Sequence, residues 1–114
     1  MKEFIKAFKA LSDPNRLRIV KMLEIRPLCV CEITSVLKLA SSTVSKHLSL
    51  LHDAGLIENE KRGKWVFYAL NHSPDKRYLD QLLSLLAKSL PEEPLIKSDA
   101  ATVEQIDTSA VCGI

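Results

Sequence analysis

Apolar residues recur at helical spacing up to Asp53, and Gly55 then ends the pattern. The next stretch, "LIENEKRGKWVFYAL", reads as two short strands around a polar tip, Glu60-Lys61-Arg62-Gly63-Lys64, before helical spacing returns. A single hairpin set between helices is the strongest constraint on this 114-residue chain, which has room for one core and not two. The expected class is mainly α with a small β-hairpin (α+β).

The helices can be placed from their residues. Phe4, Ala7, Phe8 and Leu11 predict a first helix over residues 2–11. In "SDPNR", Ser12 or Asp13 supplies an N-cap, and Pro14 takes the first position of a second helix ending near Pro27. "CVCEITSVLKL" predicts a short third helix. Ser41 or Ser42 is expected to cap a fourth, "STVSKHLSLLHDAG", with Val44, Leu48 and Leu51 on its apolar face and Gly55 as its C-terminal stop. A last helix is expected over roughly residues 74–90. It carries two apolar rows, one more than a small core can cover. Tyr78, Leu79, Leu82, Leu83 and Leu86, together with Phe4 and Phe8, are therefore expected at a homodimer interface. Residues 1–90 form the expected domain. Residues 91–114, acidic and proline-punctuated, are expected as a flexible tail carrying Cys112.

Charge separates the same two parts. Residues 1–70 hold 12 Lys+Arg against 7 Asp+Glu, and residues 71–114 hold 4 against 7. A basic body suits a polyanionic partner. No apolar run approaches the ~18 residues of a membrane span. The amphipathic, acid-containing start is unlike a secretory signal. A cytoplasmic location is expected, where three cysteines would be reduced.

Short helix, turn, capped helix, glycine stop and basic-tipped strand pair together read as a winged helix-turn-helix. A helix fits the major groove and offers its N-terminal residues to base edges and phosphates. Here those residues are Ser41, Ser42, Thr43, Ser45, Lys46 and His47, with Lys61, Arg62 and Lys64 at the wing. Double-stranded operator DNA with inverted-repeat half-sites is the expected partner of a dimer. His47 and His52 are five apart and share no helix face, which argues against a metal pair.

Cys29 and Cys31 stand one residue apart at the predicted start of the third helix. At ~100° per residue, positions i and i+2 point ~200° apart. Both sulfurs can then grip one soft ion only if the helix starts later or unwinds there. A helix N-terminus is expected to favour the thiolate, with Glu32 working against it. Catalysis is not expected. The chain has no Cys-x-x-Cys in a βαβ setting, no phosphate-cradling glycine loop and no nucleophile–base set, so no organic cofactor is expected either.

Four stretches, "ALSDPNRLRIVKML", "LCVCEI", "SSTVSKHLSLLHDAGLI" and "RGKWVFYAL", resemble the ArsR/SmtB family of metal- and metalloid-responsive repressors over about residues 3–90. "LCVCEI" is similar to the cysteine box of the arsenical-resistance repressors. The resemblance implies a winged-helix homodimer that leaves its operator when As(III) or Sb(III) binds cysteine thiolates. The implied ligands are Cys29 and Cys31. The box's usual third cysteine falls on Thr34, which leaves Cys112 as the remaining sulfur. It lies 21 residues beyond Pro91, a coil span of roughly 25 Å. A cadmium- or lead-responsive repressor, or a thiol redox or persulfide sensor of the same fold, are the alternatives.

Overall fold

The structure is a computed structural model and describes residues 1–72 and 76–107. Helix α1 (Lys2–Leu11) spans the expected residues, and α2 (Pro14–Leu23) opens where expected but ends four residues short of Pro27. Asp13 caps α2, its carboxylate accepting from the Arg16 amide at 3.1 Å, and Pro14 opens the helix. A two-residue strand, β1 (Leu28–Cys29), precedes α3 (Val30–Leu37), and α4 (Ser41–Asp53) completes the helix-turn-helix. Lys38, left-handed at φ 58°, ends α3 and makes the turn.

Helix α4 departs from expectation at its first residue. Ala40, extended at φ −62° and ψ 145°, is the N-cap, and no side chain caps the helix. Ser41 and Ser42 lie inside the first turn instead, exposed to solvent. Gly55 ends the helical run at φ +82°, where a Cβ would sit 3.0 Å from Leu79.

Strands β2 (Ile57–Arg62) and β3 (Trp65–Leu70) form the hairpin. They are longer than the polar tip implied. Arg62 pairs with Trp65, so only Gly63 and Lys64 make the turn, and Gly63 adopts φ +63°. Strand β1 pairs antiparallel with β3, Leu28 opposite Tyr68 and Cys29 opposite Phe67, giving the sheet order β1-β3-β2. The wing is thus stitched to the entrance of α3.

The core lies between α2, α3, α4 and the sheet, around Ile19, Val20, Met22, Leu28, Ile33, Val44, Leu48, Leu51 and Leu56, all almost fully buried. Helix α5 (Arg77–Ala87) is shorter than the expected 74–90. It is tied to α2 by the buried Lys21, whose ammonium donates to the Leu86 carbonyl at 2.6 Å and pairs with Glu24 at 2.8 Å.

The expected tail is the largest correction. Helix α6 (Pro94–Gln105) packs against α2 and α3 with Val103 fully buried. Asp99, also buried, receives both Arg18 Nε at 2.8 Å and Arg18 Nη2 at 2.9 Å. The hydrogen bond and the charge of Asp99 outweigh burial and hold this guanidinium more firmly protonated than usual. Weak periodicity hid α6 because its anchors lie on α2, far away in sequence.

Candidate metal centre and nucleic-acid interface

The two sulfurs meet without any unwinding. Cys29 is the N-cap of α3, extended at φ −90° and ψ 167° because β1 pairs it with Phe67, and Val30 is the first helical residue. The ~200° separation inside a regular helix therefore does not apply. Of the two conditions set by the sequence, a later helix start is the one realised, and the sulfurs lie 3.0 Å apart. One ion with ~2.3 Å bonds to two sulfurs at nearly right angles holds them ~3.3 Å apart. A few tenths of an ångström of opening makes the pair a fit for a soft, thiol-seeking ion.

A reciprocal hydrogen-bonded box surrounds Cys29. Its side chain accepts from the Glu32 amide, and Glu32 Oε1 accepts from the Cys29 amide at 3.0 Å. This is the Ser/Thr-x-x-Glu capping box with a thiol in the hydroxyl's place. Glu32 is fully buried, and its second oxygen pairs with Arg26 Nη1 at 3.1 Å. Arg26 Nη2 in turn donates to the Val103 carbonyl of α6 at 3.2 Å. Glu32 and Arg26 thus join the thiol site to α6. The sequence reading had Glu32 only as a local opponent of the thiolate and omitted Arg26; the Cys29-x-x-Glu32 spacing was the available signal.

The expected thiolate-favouring effect of the helix N-terminus does not prevail. Burial is the main cause that pushes the Cys29 thiol above the ordinary range, and hydrogen bonding and charge from Glu32 add to it. Amide hydrogen bonds from Glu32 and Cys31 oppose these without winning.

Beside the two sulfurs opens a groove of about 650 Å³, lined by Cys29, Cys31, Thr34, Ser41, Lys64 and Trp65 among others. Thr34, at the position of the box's third cysteine, donates its hydroxyl to the Val30 carbonyl at 2.7 Å. Among the described residues no cluster of three or more His, Cys, Asp or Glu forms a metal cage. Cys112 lies outside the described residues.

The groove brings the two sulfurs beside both surfaces expected to meet DNA. Ser41, Ser42, Thr43, Ser45 and Lys46 are exposed along the first turns of α4, while Val44, Leu48 and Leu51 bury the opposite side. His47 is half-buried, its Nδ1 3.2 Å from Arg16 Nη1. Lys61 and Lys64 are exposed on the wing. Arg62 instead lies back over the Phe67 ring at 5.0 Å and pairs with Glu60 at 3.4 Å, which holds it along the sheet.

The expected dimer residues divide. Phe4 and Phe8 are exposed on α1, and Phe4 meets Tyr78 of α5 edge-on at 5.0 Å between ring centroids. Tyr78, Leu82, Leu83 and Leu86 are half-buried, and Leu85 is 61% exposed. Leu79 is a correction. It is buried in the protomer's own core against Gly55, which removes it from any outer face.

A helix-turn-helix backed by an antiparallel hairpin, with the read-out helix bare on one side, defines the winged helix-turn-helix class. The model of the bacterial regulatory protein, arsR family, matches residues 13–59, from the α2 cap into β2. The chain belongs to that family. The arsenical resistance operon repressor of Escherichia coli K12 is 44% identical over 61% of this chain and 62% of its own length. The cadmium resistance transcriptional regulatory protein CadC homolog of Staphylococcus aureus is 36% identical over 67% and 64%. The chain thus spans less than two thirds of these relatives. Among solved structures, HlyU from Vibrio cholerae N16961 superposes with a TM-score of 0.63 at 32% identity, covering 75% of this chain and 88% of that one.

Proposed function

We propose that this chain is a cytoplasmic, metal-responsive transcriptional repressor that binds an inverted-repeat operator as a homodimer. As(III) or Sb(III) at Cys29 and Cys31 is the inducer that releases it. The observation that carries the reading is the 3.0 Å approach of the two sulfurs in a groove shared with Ser41 and Lys64. The arsenical-resistance relative supports the choice of metalloid, and the cadmium-resistance relative keeps cadmium as the rival. Cys112 is the proposed third sulfur.

The conflict between inducer and DNA lies in the cap of α3. Cys29 Sγ is the acceptor for the Glu32 amide, and a sulfur committed to a soft ion is a poorer acceptor for that N–H. An N-cap is worth about 0.5–2 kcal/mol. That is comparable to the ~1–3 kcal/mol of a typical coupling between two sites, a ~5–150-fold change in operator affinity. Loosening the cap disturbs α3, the helix against which α4 packs. The opposed binding of inducer and operator follows without unwinding any turn.

The test is fluorescence anisotropy of operator duplex titrated with As(III), Sb(III), Cd(II), Zn(II) and peroxide. Wild type and the Cys29→Ser, Cys31→Ser and Cys112→Ser variants are compared under reducing conditions for the ions. Release by As(III) or Sb(III) in wild type, lost in the first two variants, is expected. Release by peroxide with no tight As(III) binding transfers the reading to a redox sensor. Release by Cd(II) alone transfers it to a cadmium sensor.

A further inference from the structure

Arg16 joins three helices with one guanidinium. Nε donates to the Ala10 carbonyl at 2.7 Å and Nη2 to the Lys9 carbonyl at 3.3 Å, closing the C-terminal turn of α1 onto α2. The remaining nitrogen, Nη1, lies 3.2 Å from His47 Nδ1 on α4. Guanidinium is a donor only and stays protonated, so it has no lone pair for an N–H of histidine. The bond forms only if His47 Nδ1 is the bare, accepting nitrogen. The neutral ring then carries its hydrogen on Nε2. Nε2 lies on the ring edge away from Arg16 and makes no hydrogen bond to protein among the described residues. Four residues before it on the same face of α4 stands Thr43, exposed.

We propose that Arg16 is a positioning residue that fixes His47 as its Nε2–H tautomer, so that α4 presents an uncharged hydrogen-bond donor to a phosphate oxygen of bound DNA. This rests on the DNA-binding reading above and adds to it the chemical state of one contact and the residue that sets it. An uncharged donor holds a phosphate oxygen without neutralising it and releases no counterion, unlike a lysine. Loss of the His47 contact then weakens binding without altering its salt dependence.

Two measurements test this on the intact chain. The first is long-range nitrogen–proton NMR of the imidazoles at pH 8 without DNA. Wild type is expected to show His47 as the Nε2–H form, and Arg16→Met a mixture of tautomers. A wild-type Nδ1–H form or an imidazolium overturns the proposal even if Arg16→Met does not fold. The second is the affinity for a duplex selected by wild type from a random pool, followed across a salt series. His47→Asn keeps an acceptor near Arg16 but loses the outward donor, and is expected to weaken binding about tenfold, one net hydrogen bond, with the salt slope unchanged. His47→Gln, whose amide reaches the Nε2 position, should lose several-fold less than His47→Asn. Lys46→Gln should lower the slope by about one.

Equal losses for the two His47 variants, or a shallower slope for His47→Asn, overturn the contact. If wild type selects no duplex, the DNA half of the proposal fails together with the functional reading, while the NMR result still decides whether Arg16 sets the tautomer.

Discussion

Glu32→Ala is the most informative perturbation of stability, because one fully buried carboxylate serves the Cys29 amide and Arg26 at once. Removing it strips the N-cap amide of its acceptor, a loss of about 1 kcal/mol. It also empties the space of the deleted side-chain atoms, about 1 kcal/mol more. Breaking a buried ion pair costs about 3–5 kcal/mol when the orphan stays dry. The Arg26 side chain, however, is 35% exposed and regains water, which brings that part nearer the ~1 kcal/mol of a surface pair. The expected total is about 2–4 kcal/mol, a fall of roughly 8–16 °C in Tm for a chain of this size. Glu32→Gln keeps an oxygen for the Cys29 amide and loses only the charge, so about 1–2 kcal/mol is expected. Urea unfolding at fixed protein concentration, which the proposed dimer requires, measures both. A double-mutant cycle with Arg26→Met should return a coupling of about 1 kcal/mol. A Glu32→Ala loss below about 1 kcal/mol, or strictly additive variants, would refute the idea that this carboxylate links the cap to α6.

Three further outcomes are expected. The folded-state pKa of Cys29 lies above its unfolded value, so its contribution to stability is full below about pH 8.5 and is lost as pH climbs through the folded value. Urea midpoints between pH 7.5 and 10 under reductant should fall more steeply for wild type than for Cys29→Ala, and parallel curves would contradict the shift. Arg18→Met leaves the buried Asp99 without its bidentate partner and should cost about 3 kcal/mol. Hydrogen exchange should then speed up first in α6, and a rise spread evenly over the chain would argue against a local latch. Leu85→Glu, on the most exposed leucine of α5, should shift sedimentation from dimer to monomer with the protomer's circular dichroism intact; an unchanged sedimentation coefficient would exclude that face.

What the sequence disclosed was local. Val44, Leu48 and Leu51 declare the buried side of α4 by their spacing, Pro14 and Asp13 declare the start of α2, and Gly55 marks the change of period. What it concealed was set by distant partners. Cys29 looked helical because nothing near it announces a two-residue strand; its extended backbone comes from pairing with Phe67. Asp99 and Val103 looked like tail residues because the arginines that hold them, Arg18 and Arg26, lie 81 and 77 positions away. Leu79 looked like one more interface leucine until Gly55 gave it a place inside. The candidate cysteines were legible as a pair, but their mutual geometry was not.

The short pairing of β1 with β3 has a mechanical consequence. Cys29 sits against the tip half of the hairpin, opposite the same Phe67 whose ring lies under Arg62 and 6.2 Å from that of Trp65. From Phe67 the strand runs only two residues, about 7 Å, to Trp65 and the turn at Gly63 and Lys64. A tilt of about 10° there moves the tip by about 1.2 Å, enough to stretch a hydrogen bond past its limit. The hairpin is a lever whose short arm is a single peptide step at a sulfur.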